Sequence, residues 1–312
     1  VSAAAPSVPP SRALLVAAFA TIYLVWGSTY LAIRWVVESA PPFLMAALRF
    51  AIAGALLFAV SWWRSRERPT RTHWRNAAIV GGLLLCVGNG AVSWSEQRVP
   101  SGMASLVIAA TPLWLVLLER VGPPRRQPTA AELAGVFTGL GGVALLVWPT
   151  DASGGATLVD PVGAVVLLGG CLSWAAGSLY ARGAAFPRTA TMGPAMQMLC
   201  ASALLLVLAV AHGDLAAFNV ATVRPAAWWA LGYLVVAGSL LGFTAFSWLM
   251  RVAPPTLVGT YAYVNPVVAV LLGVLLGGEA LPPRAVLATT IIVGGVALVS
   301  LAPRIGRWRA AA

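Results

Sequence analysis

An all-α polytopic membrane protein, its ten transmembrane helices arranged as two inverted five-helix repeats, is the fold class this sequence predicts. Three observations carry it. Of 312 residues, 60% are hydrophobic and only 9% charged, whereas roughly a quarter are charged in soluble domains. Apolar runs of about 20 residues, the length that crosses the hydrocarbon of a bilayer, recur ten times between short polar segments. The second half of the chain also repeats the first.

The runs are bounded in order by Pro, Gly or Arg. The opening "VSAAAPSVPPSR" predicts a disordered tail over 1–12. It lacks the basic segment, short apolar core and cleavage site of a signal peptide, so the first run, 13–34, reads as a retained helix. The second, 43–63, opens after Pro41 and Pro42 and closes at Arg64; the third, 76–95, lies between Arg75 and Glu96; the fourth, 102–119, between Pro100 and Arg120. The fifth, 131–149, ends at Pro149, and the sixth, 160–181, begins beside Pro161 and stops at Arg182. The seventh, 191–212, follows Pro187 and ends before Gly213; the eighth, 226–250, runs from Pro225 to Arg251. The ninth, 256–276, follows Pro254 and Pro255, and the tenth, 284–302, follows Pro282 and Pro283. The expected organisation is therefore a first repeat over 13–150, a second over 151–303, and a basic cytoplasmic tail over 304–312.

All 20 basic residues are arginine. With ten spans they gather on the side of the N-terminus, in the 64–75 loop, at Arg120, Arg125 and Arg126, and at Arg304, Arg307 and Arg309. The opposite side holds only Arg34, Arg98, Arg224 and Arg284. The positive-inside rule then places both termini of this multi-pass protein in the cytoplasm. No basic stretch carries interleaved aromatics or a recognition module, which argues against nucleic acid as a partner. Cys86, Cys171 and Cys200 lie inside apolar runs without CxxC spacing, and His73 and His212 are far apart. They predict neither a metal site nor a cofactor.

A shift of 154 residues pairs Gly88 with Gly242, Ser93 with Ser247, Trp94 with Trp248, Pro100 with Pro254 and Pro112 with Pro266. The pentapeptide "GGVAL" at 141–145 returns at 294–298, and Trp26 with Trp174 and Arg34 with Arg182 pair at 148. Small changes of shift are what loop insertions produce. Five is odd, so the second copy enters the membrane from the other side. Inverted repeats of this kind characterise secondary transporters, whose substrate sites lie near the midplane between the copies. "GGVAL" itself reads as lipid-side or helix packing, since small residues allow close approach.

Four stretches, "WGSTYLAIRW", "VPSGMASLVIAATPLW", "SWAAGSLYAR" and "TYAYVNPVVAVLLGVLLGGEAL", resemble the drug/metabolite transporter superfamily, specifically its ten-helix EamA-type exporters. The resemblance covers nearly the whole chain. It implies both termini inside, two inverted five-helix repeats, a central cavity, and export of amino acids, nucleosides or other small metabolites. The branch it is most similar to includes exporters of aromatic amino acids. One departure is the short "LWLVLLERVG" after Pro112 where the second copy has "VVAVLLGVLLGGEAL".

Candidate site residues follow from faces and depth. Tyr30 shares a face of span one with Tyr23, Gly27 and Arg34. Trp26 beside them and its counterpart Trp174 lie mid-span, too deep for an interfacial belt. Ser178 and Tyr180 continue the theme on span six, although serines in membrane helices more often bond backbone. Asn89, Ser93 and Glu96 form a polar stripe on span three, either an interhelical hydrogen-bond row or part of the site, and Glu96 is the best acidic candidate. Arg49, about 9 Å into span two at 1.5 Å per residue, could snorkel, pair with Glu96 or meet a substrate carboxylate; a recurrent Arg in the resembled family favours a structural role. Pro112 and Pro266 are expected to break spans four and nine beside Thr111 and Asn265, with Tyr261 one turn away. Trp248 completes the set as the repeat partner of Trp94.

The expected function is a secondary transporter exporting small amphipathic metabolites, foremost neutral and aromatic amino acids, by alternating access. A passive channel or a facilitator for nucleosides or sugars is the alternative. A membrane-embedded enzyme has less support, because the chain offers one intramembrane carboxylate and no useful histidine. Its partners are expected to be a small-molecule substrate and the lipid bilayer, with protons as the coupling ion through Glu96. The expected assembly is a monomer or weak dimer.

Overall fold

The computed structural model describes residues 11–121, 127–148, 158–253 and 255–311. Eight helices among them are long and apolar enough to cross a membrane: α1 (Arg12–Val37), α2 (Pro42–Ser65), α3 (Arg71–Ser95), α4 (Ser101–Arg120), α5 (Ala130–Val147), α6 (Pro161–Gly183), α7 (Met192–His212) and α8 (Pro225–Val252). Two more, α9 (Tyr261–Gly277) and α10 (Pro283–Ala311), carry shorter apolar stretches and complete the ten. The tail expected over 1–12 lies outside the described residues except at its end, where Ser11 caps α1 by accepting from Leu14 N.

Boundaries move where caps override hydropathy. α3 starts at Arg71, ahead of the expected 76, because Thr70 and His73 form a reciprocal capping box that sustains a polar first turn. α10 continues as helix to Ala311, past the expected end at 302. α4 is broken at Ala109–Ala110, just before Pro112, and resumes as Thr111–Val121. Pro112 thus occupies the second position of a new helix, where its missing N–H costs nothing. In the second repeat the interruption precedes Pro266 by more than a turn. A short helix, Pro255–Val258, turns at Gly259 and Thr260 into α9, and Pro266 sits inside it.

Helix contacts respect the repeat. α1 packs on α8 and α9, and correspondingly α6 packs on α3 and α4; α2 pairs with α7, α4 with α9, and α5 with α10. Each pair maps onto another, or onto itself, when the halves are exchanged, as an internal two-fold requires. Glycines set the α5–α10 distance: a Cβ on Gly295 would lie 2.5 Å from Gly139 N, and one on Gly142 would lie 2.7 Å from Ile292 Cγ1. Gly141 and Gly294 face open space. Half of each "GGVAL" glycine pair is therefore packing, the other half outward surface.

Three helices widen into π turns: α1 over Thr21–Val25, α3 over Gly82–Asn89 and α8 over Leu234–Phe243. Such widening releases backbone groups from the regular ladder and is frequent at functional sites.

Candidate functional site

A cavity opens between the two halves, with about 710 Å³ of atom-free space, solvent-open space included. Its wall draws on α1 (Trp26, Thr29, Tyr30), α2 (Arg49, Phe50), α3 (Gly88, Asn89), α4 (Ile108, Thr111), α6 (Gly170, Cys171, Trp174), α8 (Gly238, Phe243) and α9 (Tyr261, Asn265). The π turns of α3 and α8 supply Gly88, Asn89, Gly238 and Phe243 directly, and Trp26 follows that of α1. Loosened helix is thus concentrated where the wall must adapt.

Trp26 is the hub of the aromatic side. Its ring meets Trp174 edge-on at 5.7 Å and 87°, Tyr261 edge-on at 5.3 Å and 88°, and Phe246 at 5.0 Å. Trp26 and Trp174 are equivalent under the repeat. Equivalent residues can touch only beside the axis that relates them, so the cavity sits on the internal two-fold. Edge-to-face pairs of this kind hold rings rigidly while leaving faces for another aromatic or aliphatic body. Trp26 Nε1 donates to Gly238 O at 3.3 Å, whereas buried Trp174 Nε1 makes no hydrogen bond of normal geometry.

Polar wall residues repair broken backbone. Thr111 Oγ1 donates to Ile108 O at 2.7 Å, and Cys171 Sγ reaches Val107 O and Ile108 O at 3.7 Å each, covering carbonyls released at the α4 break. Asn265, with its amide assigned from the surrounding acceptors, donates Nδ2 to Ile22 O at 3.1 Å, Tyr23 O at 3.0 Å and Tyr261 O at 3.3 Å. It thereby holds α9 against the π turn of α1. Arg49 is 4% exposed; its Nε donates to Ser239 Oγ at 2.8 Å and its Nη1 to Asn89 Oδ1 at 3.4 Å.

Carboxylates staple the two ends of the molecule. At the Arg34 end, Asp214 accepts from Phe43 N and Leu44 N at 2.9 Å each, capping the start of α2. At the Arg12 end, Glu67 accepts from Arg188 N at 2.8 Å and from Thr189 N at 2.9 Å, ahead of α7. Burial alone pushes the Glu67 carboxyl up, but these N–H bonds, the Thr189 hydroxyl and nearby His73 outweigh it and leave its pKa lowered. Glu279, after α9, accepts from Ser101 N at 2.7 Å, Ser101 Oγ at 2.8 Å and Gly102 N at 2.9 Å, with Arg34 Nε 3.8 Å away. Glu119, in the last turn of α4, pairs with Arg182 at 3.1 Å at the other end.

Of the residues proposed from sequence, Trp26, Tyr30, Asn89, Thr111, Trp174, Tyr261 and Asn265 converge on the cavity. Ser93 faces a small neighbouring cavity that it shares with Arg49. The others lie off the main wall. Ser178 is buried; Tyr180 donates its hydroxyl to Asn76 Oδ1 at 2.9 Å; Trp248, partly buried, packs against a cluster of buried apolar side chains. Glu96 is wholly buried and its carboxylate oxygens have no hydrogen-bond partner among the described residues; Arg34 bonds its backbone carbonyl instead, at 3.3 Å. Sequence reasoning missed Cys171, taken as a small hydrophobe, and Gly238, whose only signal is a small residue in an apolar run.

The EamA-like transporter family matches the chain twice, over residues 12–148 and 161–301. The uncharacterized inner membrane transporter YedA of Escherichia coli (strain K12) is 41% identical over 291 residues, covering 92% of this chain and 90% of that one. A Streptantibioticus cattleyicolor protein named "Probable terminal-alkyne amino-acid exporter" is 27% identical over 281 residues, covering 89% and 90%. A solved crystal structure of another protein superposes with a TM-score of 0.65 at 26% identity, over 94% of this chain and 99% of that one.

Proposed function

This chain belongs to the EamA-like transporter family and is a membrane transporter, and we propose that it exports small amphipathic metabolites, foremost neutral and aromatic amino acids, by alternating access. The observation that supports this substrate class is the wall of the axial cavity, where rings of Trp26, Trp174 and Tyr261 stand beside Asn89, Thr111 and Asn265. Such a wall packs an apolar side chain and orients a polar backbone. Phosphate esters would find few cations there. The relative named as an amino-acid exporter agrees in direction and chemistry. We place the protein in the bacterial inner membrane with both termini cytoplasmic, on the arginine distribution.

Purified protein in proteoliposomes, loaded with unlabelled substrate and given labelled tracer outside, tests the reading. Saturable counterflow of phenylalanine, tyrosine, tryptophan and leucine is expected. Counterflow of sugar phosphates or nucleotides with none of any neutral amino acid would overturn it, and linear flux without counterflow would make the protein a channel.

A further inference from the structure

We infer that Arg49 is the anchor for a carboxylate of the transported substrate, so that the site selects acids and zwitterions over amines of the same body. This rests on the amphipathic-substrate reading above and sharpens it. Arg49 lies 4% exposed on the wall of both cavities. A buried cation is ordinarily paired, because desolvation without a counter-charge is costly. Among the described residues no carboxylate lies within ion-pair distance of Arg49; Glu96 acts on it electrostatically across a gap, its oxygens making no hydrogen bond to the guanidinium. The guanidinium instead spends Nε and Nη1 on two neutral acceptors, Ser239 Oγ and Asn89 Oδ1. Nη2 is accommodated at Gly238, where a Cβ would lie 2.8 Å from it.

Position gives the charge its meaning. Gly238 also accepts the indole N–H of Trp26 through its carbonyl, so the guanidinium and the aromatic hub flank one residue. A ligand whose carboxylate meets Nη2 and the remaining Nη1 hydrogen therefore has its apolar body next to Trp26. A guanidinium binds carboxylates in a planar two-point fit that an ammonium cannot reproduce. A purely structural Arg49, tying α2 to α8 through Ser239, would impose no preference for acids.

Three probes share one phenyl body: 3-phenylpropionate, L-phenylalanine and 2-phenylethylamine. Each is titrated against the purified wild-type protein by ligand-dependent thermal stabilisation, and each is tested as a competitor of phenylalanine counterflow. The expected order has both carboxylates binding at least about tenfold more tightly than the amine, the scale of one charged hydrogen bond. Arg49→Gln should erase that gap, and Arg49→Lys, which retains charge and bulk, should keep part of it. Equal binding of acid and amine by the wild type removes the anchor and leaves the transporter reading standing, whatever the variants do. A gap unchanged in Arg49→Gln likewise assigns Arg49 to packing. Failure of all three probes to bind overturns the anchor and the aromatic-substrate reading together.

Discussion

Trp174 and Glu96 carry opposite kinds of information at the residue scale. Trp174 stands on the cavity wall against its own symmetry mate, so its removal should be felt by ligands more than by the fold's ends. Trp174→Ala is expected to weaken phenylalanine counterflow about tenfold, the worth of an aromatic contact plus its buried area, and alanine counterflow much less. Equal losses for the two substrates would make it packing only. Glu96 offers two carboxylate oxygens that nothing among the described residues binds. If it carries a coupling proton, Glu96→Gln abolishes pH-driven uphill flux and spares counterflow; equal loss of both makes it structural. The aromatic site residues were legible in sequence because Trp and Tyr mid-span are rare and because the repeat doubled the signal. Arg49 was legible as lying inside span two, with snorkelling, a Glu96 pair and a substrate carboxylate all open, since burial and ion pairing are properties of three-dimensional neighbours. Tyr180 misled because helical spacing assigns it a face and says nothing of what covers that face.

Among the elements, the carboxylate staples differ in the groups they hold. Removing Glu279 leaves the N–H groups of Ser101 and Gly102 buried and unbonded, a cost of about 1–3 kcal/mol for each group. The Glu119–Arg182 pair has side chains 29% and 36% exposed, and such pairs contribute roughly 0–1 kcal/mol. In a background with Cys86, Cys171 and Cys200 replaced by Ala, Ile108→Cys reports access to the cavity. Glu279→Gln should raise its alkylation from the Arg34 end severalfold, and Arg182→Ala should raise it modestly from the Arg12 end. Identical effects from both ends would separate the staples from gating. Glu67 makes a pH test. Its folded pKa is lowered, so its stabilisation is fully present above the ordinary carboxylate value and is lost as pH falls through the folded one. Melting of the detergent-solubilised protein should therefore lose less stability on acidification in Glu67→Gln than in the wild type. Most helix ends bounded by Pro or Arg were readable to within about five residues, whereas α10 runs through Pro303 and Arg304 to Ala311. The π turns were not, because the apolar pattern of a span is the same for α and π turns.

For the whole molecule, the inverted repeat is the organising fact, and it was readable from a handful of paired residues because ancestry preserved their register. Exchange symmetry in the helix contacts and the two family matches bear on the same duplication. The breaks in α4 and α9 were expected at matching prolines, yet they fall at different distances from Pro112 and Pro266, so the symmetry is approximate at the centre. Orientation has its own test. Cysteines in the 64–75 loop should resist an impermeant thiol reagent added to intact cells, and those near Gly154, outside the described residues, should react; the reverse would overturn the arginine reading. The central claim is that the axial cavity holds the transported molecule, and substrate protection probes it most directly. L-phenylalanine at saturating concentration is predicted to slow alkylation of Ile108→Cys in the cysteine-free background, with sucrose giving none. Unchanged alkylation in protein that still performs phenylalanine counterflow would place the substrate elsewhere and contradict the account.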